Sequence, residues 1–442
     1  MDKFVCIFLI FTSFSGCPSN SRALHREMID LLMARDYFRL ETSLKNSGSQ
    51  LSEPAILYFN AHLESVFNQP EQSLSTIDLL LSMYNKSLND TLKYHLLMAK
   101  RNNHLRQFEY KQAAETLSTL SNLVESSRKL TLDSDSRESL KESIQSYESL
   151  KNFPPQKKFQ MTDSIIPFKR NEFGHMEIQV TCNGVTEDFI FDTGSTSSVI
   201  SESIANRMGI QPLNAAMFIN TSRGTRIKVK IGVANNLKIS DLLFKNVVFH
   251  IIPDEQSAFP LVNLSVSGFI GFPLINQMKE IKIDNQAGNI VVPQTPAKHG
   301  VSNMFLNDLG YPVIRLESGQ DTLLFLLDTG AQISSFSKKY YDTHSEIIIE
   351  KGEYGKTVMI GLGANNAAEI YKLTDVSFKI GNSEITLPKI NVITKELLSA
   401  NAKERPVYKN FDGAIGQDVL TRFDEIIINY ESMYLTFSDK NN

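Results

Sequence analysis

The chain has 442 residues, more than one ordinary domain and enough for two or three. Hydrophobic residues make up 42% and charged residues 21%, the balance of a globular protein with material for sizeable cores. With 45 basic and 49 acidic side chains the formal charge is -4, which leaves no electrostatic footprint for nucleic acid.

Lys3 opens a short basic region, and Phe4 to Phe14 is almost wholly apolar. The run is too short to span a bilayer and has the layout of an export signal. Ser15-Gly16-Cys17 follows. This ending resembles a bacterial lipoprotein signal over residues 1–17, cleaved before Cys17 so that the Cys carries lipid. The resemblance implies an exported chain, anchored to a membrane by lipid and facing the periplasm, with the outer surface as the alternative. Phe14 stands where that pattern usually has Leu. An ordinary signal peptide and a buried helix are the other readings. Cys6 lies within the signal, so Cys182 is left without an internal disulfide partner and reads as a small core residue. The scattered His residues form no ligand cluster with Cys or carboxylates at a recognised spacing. No metal and no cofactor are expected.

Residues 22–150 read as helical. Ile56, Phe59, Leu63 and Val66 make one three-four stripe, with Ser52 as N-cap and Pro54 in the first turn. Leu74, Ile77, Leu81, Tyr84 and Leu88 make a second, and Tyr110, Ala113, Leu117 and Leu120 a third. Breaks near Asp36, Asn68-Gln69-Pro70 and Gln107 recur at roughly 34 to 38 residues, close to the tetratricopeptide period. The segment from Phe108 to Leu117 resembles the second helix of such a repeat, without the signature Trp and Gly. A short α-solenoid that offers a protein partner or a remote part of a substrate a concave surface is one reading. A plain helical bundle is the other. Ser134 to Leu150 is charged and Ser-rich and reads as an exposed helix, and 151–161, with its Pro-Pro step, reads as a linker.

Beyond Met161 the texture changes to short Val, Ile, Phe and Thr runs separated by Gly, Asn and Asp, an all-β pattern. It holds an internal duplication. Asp-Thr-Gly occurs at Asp192-Thr193-Gly194 and again at Asp328-Thr329-Gly330, each after an apolar run. The stretch from Gly271 to Asp284 aligns without a gap on the stretch from Gly416 to Asn429, and Phe269-Ile270 and Ala414-Ile415 precede the two glycines. The separation from Asp192 to Gly271 is similar to that from Asp328 to Gly416.

Over roughly residues 162–438 these motifs resemble the aspartic proteases of the pepsin and retropepsin type. The resemblance implies a double-lobed all-β barrel, one lobe at 162–298 and the other at 299–442, each supplying one catalytic Asp. Asp192 and Asp328 would share a proton and activate water for hydrolysis of a peptide bond. Thr193 and Thr329 would tie the loops across the lobe interface. Gly194 and Gly330 would allow tight turns, and Ile270-Gly271 and Ile415-Gly416 would brace the loops from beneath. Ser195 could bond Asp192, as in pepsin-like sites, whereas Ala331 could do nothing of the kind for Asp328. That asymmetry predicts a working range milder than gastric acid. Substrate would bind extended beneath β-hairpin flaps. Ser222, Arg223 and Gly224 supply turn chemistry for one flap, and Gly361 and Gly363 for another. The pepsin flap Tyr has no clear match, which favours two flaps. Two lobes in one chain imply a monomeric catalytic unit. The competing function is a duplicated barrel that binds peptides, or serves as a scaffold, without cutting them.

Overall fold

The computed structural model describes residues 19–221, 226–259, 264–319, 321–362, 364–381, 383–397 and 410–438. Cys17, Ser222, Arg223, Gly224 and Gly363 lie outside the described residues. The chain divides into two compact units, residues 1–155 and 156–442. A helical unit is followed by a β-rich one.

The helical unit contains the α-helices Ser19–Ala34, Tyr37–Ser47, Glu53–Val66, Pro70–Met83, Asp90–Arg106, Tyr110–Ser126 and Ser134–Leu150. The apolar stripes explain their packing. Phe59, Leu63 and Val66 are buried, as are Ile77 and Leu80, and so are Ala113, Leu117 and Leu120. Tyr94, Leu97, Leu120, Val124, Leu130 and Leu132 form one cluster. The first six helices pair into three hairpins that turn in the same way. Arg35, Asn68 and Phe108 each adopt a left-handed φ, near 60°. The next residue's N–H then reaches back to the fifth residue before it: Asp36 to Leu31, Gln69 to Glu64 and Glu109 to His104. This is the six-to-one closure that satisfies the last carbonyls of a helix. None of the three residues is Gly, so the recurrence is a backbone property that composition hides. The helix Ser134–Leu150, expected to be exposed, is exposed mainly in its first half and half-buried beyond it, with Ser146 and Leu150 buried; Asp133 caps it, accepting from the Ser136 N–H at 2.7 Å. Among the described residues no helix is long and apolar enough to cross a membrane.

The β-rich unit starts earlier than its composition suggests. Lys157–Phe159, inside the stretch read as linker, is a strand antiparallel to Leu243–Lys245. Gln156 is buried and donates to the Gln277 side chain at 2.9 Å. A three-residue strand carrying two lysines has no alternation long enough to read.

The same strand plan then occurs twice. In the first half Val185–Phe191 runs parallel to Gly268–Ile270, which is antiparallel to Ser198–Ser201, which is parallel to Leu242–Ile252. In the second half Asp321–Leu327, Gly413–Ile415, Ser335–Phe336 and Ser383–Leu397 repeat those pairings in the same senses. Each half carries a long hairpin, Pro212–Asn220 with Arg226–Ile239 and Glu353–Gly361 with Ala364–Ile380. The halves are joined through Glu280–Asp284 and Glu425–Asn429, an antiparallel pair in which Ile281 faces Ile428 and Ile283 faces Ile426. All four isoleucines are buried. The strand after each bracing glycine therefore does two jobs: it closes its own half and welds it to the other.

Candidate active site

Asp192 and Asp328 each follow a buried strand whose last residues, Phe191 and Leu327, are fully buried. The Asp192 N–H donates to the Ile270 carbonyl and the Asp328 N–H to the Ile415 carbonyl, both at 3.0 Å. The parallel bracing strand thus fixes the point at which the chain leaves the sheet. Each loop then turns back on its own carboxylate. The Gly194 N–H donates to Asp192 Oδ1 at 2.8 Å, and the Gly330 N–H to Asp328 Oδ1 at 2.9 Å. A Cβ on Gly194 would run into the Asp328 carboxyl, and one on Gly330 into the Asp192 carboxyl. These two positions need glycine because each loop lies against the other loop's acid.

The threonines interlock the loops. The Thr329 hydroxyl accepts from the Thr193 N–H at 2.9 Å and donates to the Phe191 carbonyl at 2.8 Å. The Thr193 hydroxyl accepts from the Thr329 N–H at 3.0 Å and donates to the Leu327 carbonyl at 2.8 Å. Thr193 is 1% exposed and Thr329 is 0% exposed, so water cannot replace these bonds.

The result is two half-buried carboxyl groups, each held against the other loop's glycine. Burial first, then the neighbouring Asp328 charge, push the Asp192 carboxyl well above the usual carboxylate range, and the Gly194 N–H pulls the other way. Two acids this close ionise one at a time and titrate as a pair.

Ser195 departs from expectation. Its hydroxyl donates to the Ser197 carbonyl at 2.7 Å and not to Asp192. The proton of a hydroxyl can be given once, and here a backbone carbonyl takes it. The difference between Ser195 and Ala331 is therefore not a difference in hydrogen bonds to the acids, and the raised titration has burial and mutual repulsion as its cause.

The bracing glycines sit where expected from the motif. A Cβ on Gly271 would strike the Ser195 and Ser197 carbonyls, and one on Gly416 the Ala331 carbonyl. Two serines missing from the sequence reading complete this brace. Ser198 accepts from the Gly271 N–H at 3.3 Å, and Ser334 from the Gly416 N–H at 2.9 Å. Both occupy the sixth place after their Asp, a repeat that was there to be read. A second missed group is Gln417. It is 3% exposed and donates to the Thr329 carbonyl at 2.7 Å, while its Oε1 accepts from Arg170 at 2.9 Å. Arg170 also donates to Asn285 at 2.7 Å. Arg170 comes from the first half, so it ties that half to the second loop. His175 also lies against the Gly330 carbonyl, and burial lowers its pKa despite that contact.

Of the hairpin candidates, Gly361 ends its strand opposite Ala364. On the first hairpin, Asn220 faces Arg226, whose guanidinium lies 4.3 Å from the Phe218 ring centroid. Leu362, at the tip of the second hairpin, packs on the apolar cluster of the first half.

Residues 178–273 match the family model for aspartyl proteases, a span that includes Asp192-Thr193-Gly194 and ends just past Gly271. The first half of the β-rich unit is thus similar to that family, and a protease-type hydrolase is the class it suggests. No curated protein matches the chain.

Thr193→Val should leave the Thr329 N–H and the Leu327 carbonyl buried without partners and destabilise the β-rich unit by about 2–4 kcal/mol. Thr193→Ser should retain most of the stability, and denaturant unfolding measures both. The acid pair predicts a second effect. A carboxyl with a raised folded pKa contributes stability below its unfolded pKa of about 3.9, and that contribution is lost as pH rises through the folded value. Asp192→Asn should therefore melt higher than wild type, with a gap that widens as pH increases, by about 2–4 °C for each kcal/mol relieved. Thermal scans across pH test it, and a gap independent of pH contradicts it.

Proposed function

We propose that the β-rich unit is an aspartic endopeptidase that hydrolyses peptide bonds of an extended chain with water activated between Asp192 and Asp328. The observation that carries this reading is the pair of half-buried acids, one from each copy of the Asp-Thr-Gly loop, each lying against the other loop's glycine. As is general for aspartic proteases, the ionised member would take a proton from the water while its oxygen attacks the peptide carbonyl carbon. The protonated member would give its proton to the carbonyl oxygen. Collapse of the tetrahedral species then breaks the C–N bond, and a proton passes to the leaving amine. The loop N–H groups of Gly194 and Gly330 favour the ionised form, burial favours the protonated one, and the pair can hold one proton between them. The two hairpins supply free-standing strand edges on which an extended peptide can pair.

Purified protein should release peptides from a denatured protein substrate. Asp192→Asn and Asp328→Asn should each lower kcat/KM by at least ~100-fold, the size expected for loss of an acid–base group. Equal release by wild type and both variants would leave the non-catalytic peptide binder as the reading. Because the second proton is held tightly, activity should persist above the ordinary carboxylate pKa of about 4 and decline as that proton leaves. A pH–rate profile peaking at about pH 2 contradicts a raised pair.

We further propose, on the apolar run from Phe4 to Phe14 and the Gly16-Cys17 step alone, that the chain is exported and lipid-anchored. Cys17→Ala should then abolish incorporation of labelled fatty acid and move the protein to the soluble fraction. Unchanged labelling and membrane retention contradict the anchor.

A further inference from the structure

The turns that precede the two acid loops are copies of each other. Asn171-Glu172-Phe173-Gly174-His175 and Asn307-Asp308-Leu309-Gly310-Tyr311 end at the same distance before their Asp. In each, the Asn side chain accepts from the third and fifth N–H groups, at 3.1 Å for both in the first turn and at 2.9 and 3.0 Å in the second. The residues before the turns therefore occupy equivalent places: Arg170 faces Met176 as Leu306 faces Pro312. The aligned bracing segments supply two more matched pairs, Gln417 with Phe272 and Asn285 with Tyr430. These three places are polar around the Asp328 loop and apolar or aromatic around the Asp192 loop.

The polar set forms a relay of hydrogen bonds. Arg170 Nη1–H donates to Gln417 Oε1 at 2.9 Å, and Gln417 Nε2–H donates to the Thr329 carbonyl at 2.7 Å. The N–H of the same peptide unit, that of Gly330, donates to Asp328 Oδ1 at 2.9 Å. A guanidinium only donates and a carbonyl only accepts, so the direction of the Gln417 amide is fixed. Asn285 holds the half-buried Arg170, accepting from it at 2.7 Å while donating to the Leu420 and Phe423 carbonyls at 2.9 and 2.7 Å. In the other copy Leu306 carries no charge and Phe272 has no donor for the Thr193 carbonyl. Phe272 instead meets Tyr430 edge to face, with ring centroids 6.0 Å apart. The Gly194 N–H bonds Asp192 at 2.8 Å, and Phe272 can add nothing to that peptide unit.

Each amide of the relay accepts at its oxygen and donates at its nitrogen, so each bond polarises the next and the last N–H is the stronger donor. A stronger donor favours the charged form of its carboxylate. We propose that Arg170, acting through Gln417, is a positioning residue that decides where the pair's charge rests: Asp328 is ionised and takes the proton from water, and Asp192 holds the shared proton and gives it to the peptide carbonyl oxygen. The assignment of steps rests on the proposed function, whereas the resting place of the charge does not depend on a bond being cut. Burial and then the Asp328 charge raise the Asp192 carboxyl, which agrees with this order. Besides Asp192, the other charges near the second loop are directed elsewhere. Asp418 accepts from the Ser334 N–H at 2.9 Å and from its hydroxyl at 2.6 Å. Glu177 accepts from the Asn171 side chain at 3.0 Å. His175 has its pKa lowered by burial, which leaves Arg170 as the relay's cation.

Carbon NMR of the full chain with labelled aspartate carboxyls reads the bias one acid at a time. Asp328 in Asp192→Asn should titrate lower than Asp192 in Asp328→Asn. Adding Gln417→Met to Asp192→Asn should raise the Asp328 titration by about half a pH unit. Arg170→Met should do the same, and Arg170→Lys, which keeps the charge, should retain most of the difference. Gln417→Met added to Asp328→Asn should leave Asp192 in place, whereas a general loosening of the fold would move both acids. In a chain with both acids, Gln417→Met should shift the acid limb of the pH–rate profile upward by a similar amount and leave the alkaline limb. Asp192 titrating at or below Asp328, equal shifts at both acids, or no shift in either relay variant overturns the proposal. If the titrations follow the expected order and no peptide is cut, the charge assignment stands and the protease reading falls. Cleavage with the order reversed leaves the protease reading and removes the assignment.

Discussion

Two buried threonine hydroxyls hold this β-rich unit to its purpose. Each accepts from the other loop's backbone and donates to the carbonyl one residue before the other loop's Asp. The exchange sets the distance between the halves at the place where two acids must face each other. It also withdraws the acids partly from water, and that desolvation, with the neighbouring Asp328 charge, raises the Asp192 carboxyl. The bracing strands, the serines on the glycine N–H groups and the Arg170–Gln417 bridge all act to keep those loops where the threonines can meet. An acid pair repels itself when both members ionise, so the surrounding structure has to over-determine its geometry.

Much of this was legible because the chain states it twice. A repeated Asp-Thr-Gly and a repeated apolar-Gly strand are short, contiguous and matched in spacing, so Asp192, Asp328, Gly271 and Gly416 could be named from the sequence. The helical stripes were legible for a different reason, since Phe59-Leu63-Val66 and Ala113-Leu117-Leu120 follow the period of a helix face. What escaped lacks either property. Arg170, Asn285 and Gln417 are far apart in the chain and carry no local pattern. The fate of the Ser195 proton depends on the turn, which offers it the Ser197 carbonyl. Lys157–Phe159 is too short and too basic to read as a strand. The shared turn of the three helical hairpins uses Arg, Asn and Phe, and so leaves no composition signal.

The two halves share a plan but not a lining. Backbone pairings are kept strand for strand, while the side chains over the floor change from Val, Phe and Ile to Ser and Ala. Symmetry in the backbone serves the acid pair, which needs two equivalent loops. Two copies within one chain allow the linings to differ while the backbone plan is kept, because each copy can change without altering the other.

The central claim is that Asp192 and Asp328 hold one proton between them. Carbon NMR of the protein with labelled aspartate carboxyls, titrated with pH and assigned by Asp192→Asn and Asp328→Asn, measures it directly. The account predicts two coupled steps, one of them well above the ordinary carboxylate pKa of about 3.9, each lost when either partner is replaced. Two independent titrations near that ordinary value would contradict it.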